Sequence, residues 1–114
     1  METKDLGKTS TGIQANVAGL LCYLLGIVTG VVFMLIEKEN KFVRFHAMQS
    51  IVTFGALFVL GVALGFLPVV GLPLLPVLWL FEIVLWVVLM IKAYQGEHFK
   101  LPIAGDIAEK QVGA

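Results

Sequence analysis

Long runs without a charged residue dominate this sequence and limit what it can fold into. Residues 16–36 contain no Asp, Glu, Lys or Arg, and a helix of that length rises about 30 Å, the thickness of the bilayer hydrocarbon. Two further apolar runs cover residues 45–66 and 74–92. A water-soluble bundle would need a polar face on each helix, and these runs are almost entirely apolar. We therefore predict an all-α integral membrane protein with three transmembrane helices.

The composition supports the same class and excludes another. Hydrophobic residues make up 59% of the chain and charged residues 14%, whereas soluble domains carry about 25% charged residues. Lys plus Arg equals Asp plus Glu at 8 each, which leaves no electrostatic basis for binding nucleic acid. The expected surroundings are the lipid bilayer, with a homo-oligomer or other membrane proteins as partners.

The first apolar run is predicted to stay in the mature protein. A signal peptide is the rival interpretation, but acids at Glu2 and Asp5 precede the run, and no small-residue cleavage site follows it. The predicted organisation is an extramembrane segment at residues 1–15, a membrane domain at 16–92 and a cytoplasmic tail at 93–114.

The two connections differ in chemistry. Residues 37–44 are rich in charge, whereas residues 67–73 carry Pro68, Gly71 and Pro73 and no charge. Proline and glycine end a helix, so the second connection is a tight reversal. Pro76 falls in the first turn of the third helix, where a missing N–H costs little.

The distribution of Lys and Arg predicts the orientation, because cytoplasmic loops carry the excess of these residues. With three crossings, the 37–44 connection and the tail share one side and the N-terminal segment lies on the other. The first side carries six basic residues: Lys38, Lys41, Arg44, Lys92, Lys100 and Lys110. The other side carries Lys4 and Lys8, so the prediction is N-terminus outside and C-terminus in the cytoplasm.

Two glycine pairs indicate how the helices meet. Gly26 and Gly30 in the first helix, and Gly61 and Gly65 in the second, are each four residues apart. Such pairs let helix backbones approach closely inside a membrane. Glycine is common in membrane helices, so the spacing can also arise by chance.

Polar residues gather at the cytoplasmic boundary. His46, Gln49, Ser50 and Thr53 share one face of the second helix, and such a face normally contacts protein. We predict that Arg44 and His46 lie against the segment from Tyr94 to Lys100 and pair with Glu97. The group is either a head-group or ligand pocket or a network that ties the helix ends together.

Glu82 is the one acid between Phe45 and Met90. It lies about 15 Å of helix from Lys92, near the membrane centre, where a carboxylate is expected to face protein. We predict a hydrogen bond to Thr53. Two interpretations stay open: a proton or cation relay, or a neutral acid that joins two helices, flanked by Trp79 and Trp86.

The sequence offers little for catalysis. Cys22 is the single cysteine, and His46 and His98 are the only histidines. No paired carboxylates or metal-ligand spacing occur within the apolar runs. We predict no catalytic residue, cofactor or metal, and no enzyme activity.

Two stretches carry a family resemblance. Residues 37–50 (EKENKFVRFHAMQS) and residues 93–102 (AYQGEHFKLP) resemble small three-helix membrane proteins of the domain-of-unknown-function group DUF4870, also catalogued as UPF0132. The group is loosely related to the Tic20 component of chloroplast protein import and includes certain magnetosome-membrane proteins. The resemblance implies a fold and a membrane location, and it assigns no catalytic residue.

The expected function is that of a small, non-enzymatic assembly or interaction component of a prokaryotic cytoplasmic membrane. The alternative is a subunit of a permeation or protein-translocation pathway, in which several copies surround a path. A continuous polar stripe on two helices would favour permeation, and only the second helix shows part of one.

Overall fold

The computed structural model describes residues 6–113, so Lys4 and its predicted placement lie outside the described residues. This part of the chain is all-α. Its five helices are α1 (Ala15–Leu24), α2 (Ile27–Ile36), α3 (Lys41–Gly65), α4 (Gly71–Tyr94) and α5 (Ala104–Val112).

The first apolar run is two helices, not one. α1 and α2 have 10 residues each, and between them Gly26 adopts a φ of +60°, a conformation that glycine tolerates best. The Thr29 hydroxyl accepts a hydrogen bond from Leu25 N at 3.2 Å and lies 3.1 Å from the Cys22 carbonyl, to which it donates. Thr29 thereby satisfies backbone groups that the break exposes, as an apolar environment requires.

α1 and α2 form a helical hairpin whose two arms run in opposite directions along α3. Along α1, Cys22 lies against Val43 and Tyr23 against His46, so α1 runs parallel to α3. Along α2 the order is reversed, because Gly30 packs on Ala47 whereas the later Met34 meets the earlier Arg44. Each arm rises about 15 Å. The prediction of one helix over residues 16–36 is therefore wrong.

The hairpin places the N-terminal segment beside the charged connection. Ser10 N donates to both carboxylate oxygens of Glu37, at 3.0 and 2.9 Å, and Asn40 Nδ2 donates to the Leu6 carbonyl at 2.8 Å. The prediction that residues 6–14 lie on the opposite side from residues 37–44 is wrong, because it rested on a single crossing.

Among the described helices, α3 and α4 are long and apolar enough to cross a membrane, with 25 and 24 residues. Their most apolar 18-residue stretches have mean hydropathies of 2.0 and 2.6. Asn40 begins α3, because its Oδ1 accepts from Val43 N at 3.0 Å. Gly71 begins α4 against the backbone of Leu64, which leaves no room for a Cβ. The tight reversal therefore requires glycine at this position.

The C-terminal segment folds back along α3, and it contains α5, a helix that we did not predict. Gly105 at the start of α5 packs near Gln49, and Gly113 after its end accepts a hydrogen bond from Lys41 Nζ at 3.1 Å. α5 thus runs antiparallel to the first turns of α3.

Burial divides the described chain into two parts. We call residues 6–53 and 89–113 the packed end and residues 54–88 the open end. Gly71 is the one buried residue of the open end. The packed end contains the fully buried large side chains, among them Tyr23, Phe45, Leu89, His46, Gln49 and Glu37.

Candidate functional site

Glu82 lies halfway along α4 in a groove between α3, α4 and the tip of the α1–α2 hairpin. The groove has a volume of about 930 Å³, and Glu82 is its only charged lining residue. Glu82 is partly exposed and makes no hydrogen bond or ion pair with any of residues 6–113. The groove is therefore an apolar cleft that holds one unpaired acid.

The predicted hydrogen bond from Glu82 to Thr53 is wrong. Thr53 is 7% exposed, and its hydroxyl has no hydrogen-bond partner within the described chain. The next residue, Phe54, lines the groove beside Glu82 in its place. Counting residues from the helix ends predicted that Thr53 and Glu82 lie at the same depth. The count could not show whether Thr53 or Phe54 faces α4.

The two tryptophans that flank Glu82 differ in their surroundings. Trp86 donates from Nε1 to the Tyr23 carbonyl at 2.7 Å, which anchors α4 to the end of α1. Trp79 is 67% exposed and lines the groove. One indole therefore has a structural partner, and the other stands free beside the acid.

A second polar group lies inside the packed end and is fully buried. Tyr23, His46 and Gln49, which we call the polar cluster, are each 0% exposed. Tyr23 Oη lies 2.6 Å from His46 Nδ1 and accepts from Gln49 Nε2 at 2.8 Å. Tyr23 was absent from the sequence prediction, although a phenol within an apolar run normally needs a polar partner.

The hydrogen bonds assign the protons of the polar cluster. His46 Nε2 lies 3.0 Å from the backbone carbonyl of Glu97, which can only accept, so Nε2 carries the proton. His46 Nδ1 then accepts from the Tyr23 hydroxyl. The imidazole is neutral, and every polar atom of its ring has a partner.

Gln49 connects the polar cluster to the C-terminal segment. Its Nε2 donates to the Phe99 carbonyl at 2.9 Å, and its Oε1 accepts from Leu101 N at 2.9 Å. On the same face Ser50 donates to the Gly26 carbonyl at the hairpin tip, at 2.9 Å. The side chains of this face thus hold both the hairpin and the tail against α3.

Arg44 does not pair with Glu97. Its Nη1 donates to the carbonyls of Met34 at 3.2 Å and Glu37 at 2.6 Å, where α2 ends and leaves carbonyls unpaired. The Glu97 carboxylate contacts Lys92 instead, at 3.2 Å. The predicted pairing is wrong because each group has a closer partner, although His46 does contact this segment through the Glu97 backbone.

The remaining boundary residue, Tyr94, has a backbone role. Its carbonyl accepts from Asn16 Nδ2 at 3.1 Å, and its side chain is 41% exposed. The bond joins the end of α4 to the start of α1.

The four predicted packing glycines have different neighbours. A Cβ on Gly30 would lie 2.9 Å from the Ala47 carbonyl, and one on Gly26 would lie 3.7 Å from the Phe54 ring. A Cβ on Gly61 would lie 3.8 Å from Leu78, and one on Gly65 would meet nothing within 4 Å. Gly30 alone marks a close helix approach, and Gly65 faces open space.

Glu37 organises the charged connection. Its carboxylate accepts from Ser10 N, Glu39 N and Asn40 N. Burial alone would raise the pKa of this carboxyl, but the hydrogen bonds from Ser10, Asn40 and Glu39 outweigh it and lower the pKa below its usual 4.5. Nothing in the sequence distinguished Glu37 from the other acids of residues 37–44.

Charged side chains of the tail pair on the surface of the packed end. Lys100 Nζ contacts Asp106 at 2.9 Å and Glu109 at 3.3 Å, and these hydrogen bonds raise the pKa of the Lys100 ammonium. His98 stacks on Phe45 with ring centroids 3.8 Å apart.

Within residues 6–113 no group of three His, Cys, Asp or Glu side chains is arranged to hold a metal.

Comparison with known proteins shows the family. A model described as the magnetosome magnetite crystal formation protein family matches residues 8–108. This chain belongs to that family. A relative from Methanocaldococcus jannaschii, named a UPF0132 membrane protein, is 53% identical over 105 residues, which cover 92% of this chain and 94% of the relative. Another UPF0132 membrane protein, from Archaeoglobus fulgidus, is 52% identical over 101 residues, or 89% and 98% of the two chains.

The resemblance to UPF0132 is therefore confirmed, and the chain is a membrane protein of the magnetosome magnetite crystal formation family. No solved structure matches it. The family match includes the hairpin, the polar cluster and Glu82. Of the two polar sites, the cluster is sealed and fully bonded, whereas Glu82 is open to a ligand or a partner.

Proposed function

We propose that this protein is a non-enzymatic assembly component that associates with other polypeptides inside the membrane through its open end. The observation that carries the proposal is the contrast in burial. From Phe54 to Val88, every residue but Gly71 keeps part of its surface uncovered. Lipid can cover apolar surface of this kind, so helix association there depends on the small residues that interrupt it.

Features of the open end support helix association. Large side chains of α3 outside the groove, Val59 and Leu60, are 66% and 46% exposed, and Phe66 at the end of this helix is 81% exposed. Cβ atoms placed on Gly55 and Gly65 would meet nothing within 4 Å, so another helix can approach the α3 backbone at these positions. Small residues beside large apolar ones are typical of helix contacts in membranes.

We further propose that the packed end faces the cytoplasm of a cell membrane and that α3 and α4 cross it. The seven basic residues of the described chain all lie at the packed end, namely Lys8, Lys38, Lys41, Arg44, Lys92, Lys100 and Lys110. On this topology none of these seven residues crosses the membrane, in agreement with the positive-inside rule. On this topology the α1–α2 hairpin enters from the cytoplasm and returns.

Native mass spectrometry of vesicles prepared directly from the membrane tests the assembly role. We expect wild-type protein in complexes, either with copies of itself or with other membrane proteins, and Gly65→Leu to shift it to single chains. Gln95→Leu, an exposed change at the packed end, is the matched control and should leave the complexes intact. Wild-type protein found only as single chains would contradict the proposal.

A second candidate is a subunit of a permeation path. The helix break at Leu25 and Gly26 lies beside Glu82, and broken helices next to acids occur where membrane proteins bind ions. Proton or cation flux through reconstituted protein, abolished by Glu82→Gln, would favour this candidate over a purely structural assembly role.

A further inference from the structure

The groove at Glu82 has the chemistry of a binding site for a positively charged, apolar molecule. A smaller cavity of about 250 Å³ adjoins it and also includes Glu82, Phe54 and Trp79. Small-molecule sites are mostly apolar clefts of about 300–1,000 Å³ with a few polar groups that orient the ligand. The groove fits this description, with one carboxylate in an apolar lining.

Charge complementarity identifies the occupant. Glu82 has no partner among residues 6–113, and all the basic side chains of that range lie at the packed end. A carboxylate held in an apolar environment needs a proton or a cation beside it. Because the protein supplies no cation here, a ligand that carries one gains from the contact.

Aromatic side chains around the acid favour an organic cation over a small metal ion. Trp79, Phe54 and Phe58 line the same groove as Glu82. The face of an aromatic ring attracts a cation, and cages of such rings recognise quaternary ammonium groups. A metal ion would instead need several oxygen ligands, and Glu82 is the only carboxylate in the lining.

The exposure of the lining indicates how the ligand enters. Phe58 and Trp79 are 65% and 67% exposed, and Glu82 at one end of the groove lies halfway along α4, a helix long and apolar enough to cross a membrane. A ligand that reaches this depth must dissolve in the bilayer. Its charge must therefore be carried on a bulky apolar body.

We propose that Glu82, Trp79 and Phe54 form a binding site for lipophilic monovalent organic cations. Glu82 neutralises the charge, and the aromatic side chains contact the apolar body. This site goes beyond the assembly role, which stands on the exposed α3 surface and does not require a ligand. A lipid acyl chain and a second copy of this chain are the competing occupants of the groove.

Binding of tetraphenylphosphonium to the full chain in phosphatidylcholine nanodiscs tests the site. We expect saturable binding of one cation per chain, over a background measured with empty discs. Tetraphenylborate has nearly the same shape and the opposite charge, so it should neither bind saturably nor compete. Equal competition by the borate, or binding no greater than in empty discs, would overturn the proposal and leave the groove to lipid or a second copy.

Variants separate charge from shape. Glu82→Gln keeps the size of the side chain and should weaken binding at least tenfold, and Trp79→Leu should weaken it about fivefold because one aromatic face is lost. Val84→Leu, an exposed change on α4 outside the groove, is the control and should bind as wild type. Wild-type affinity in Glu82→Gln would refute the role of the carboxylate. Circular dichroism spectra check that each variant is folded.

Discussion

The packed end and the open end both contain long apolar stretches, but they differ in how far the protein itself buries their side chains. In the packed end the hairpin, α3 and the tail surround the polar cluster, whose side chains are 0% exposed and fully hydrogen-bonded. In the open end α3 and α4 meet the hairpin at its tip, and one unpaired acid lies in the groove between these elements. Apolar sequence by itself therefore does not complete a membrane fold.

The difference between the two ends shows which interactions hold the helices together. Inside a bilayer lipid is as apolar as leucine, so helices associate through close contacts and hydrogen bonds. The packed end has both, in the Gly30 contact with Ala47 and the Gln49 bridge to the tail. The open end has exposed apolar surface and small residues, and its polar bridge to the packed end is the hydrogen bond from Trp86 to the Tyr23 carbonyl.

The largest expected effect is the loss of the Gln49 bridge. Gln49→Leu leaves the Phe99 carbonyl and the Leu101 N–H without their partner, at about 1–3 kcal/mol for each buried group. We expect the free energy of unfolding to fall by about 3 kcal/mol. Denaturation in mixed micelles measures this change in the free energy of unfolding. Gln95→Leu is the matched control, and equal stability of the two variants would contradict the structural role of the bridge.

Adding a methyl group at Gly30 should cause the next largest loss in the free energy of unfolding. Gly30→Ala puts a Cβ 2.9 Å from the Ala47 carbonyl, so α2 must shift from α3 at about 1–3 kcal/mol on the scale of overpacked cores. Gly55→Ala meets nothing within 4 Å and should be neutral or slightly stabilising, because alanine favours helix. The same denaturation assay compares them, and a neutral Gly30→Ala would argue against close packing of the hairpin.

Glu37 should make the packed end sensitive to acid. Since the folded-state pKa lies below the usual 4.5, its contribution is fully present above pH 4.5 and is lost as pH falls through the lower folded value. Glu37→Gln should cost about 2 kcal/mol at pH 7, because hydrogen bonds to a charged acceptor are removed. It should also flatten the pH dependence of stability below pH 4.5. Glu39→Gln, at an exposed acid two residues away, should change neither.

The smallest expected effect is at Glu82. Its side chain has no partner within the described chain, so Glu82→Leu should leave the free energy of unfolding unchanged or slightly higher. This expectation replaces the loss that a Glu82–Thr53 bond would predict. A decrease of about 1 kcal/mol or more in the denaturation assay would show that Glu82 makes a stabilising polar contact in the folded protein.

Sequence reasoning identified α3 and α4 well, because each contains a long, almost uncharged run bounded by clear signals. The predicted ranges 45–66 and 74–92 compare with Lys41–Gly65 and Gly71–Tyr94. The face with His46, Gln49 and Ser50 is also buried against protein, as its helical spacing suggested. Periodicity and length are properties of the local sequence and need no knowledge of partners.

The hairpin could not be predicted in this way. A run of 21 residues without charge is long enough for one helix that crosses a membrane. Its length does not distinguish such a helix from two short helices joined by a turn. The turn depends on Gly26 at positive φ and on Thr29 satisfying the broken backbone. The partners of Arg44 were missed for the same reason, since they lie at the end of α2 and follow from the position of the hairpin.

We infer that the first apolar run returns to the side of the membrane on which it began. Single cysteines in a Cys22→Ala background test it with a membrane-impermeant maleimide on sealed vesicles of known orientation. Gln14→Cys and Glu39→Cys should both react from the cytoplasmic side, and Val69→Cys, in the reversal after α3, only from the opposite side. Reaction of Gln14→Cys from the same side as Val69→Cys would contradict the hairpin and restore a first helix that crosses the membrane.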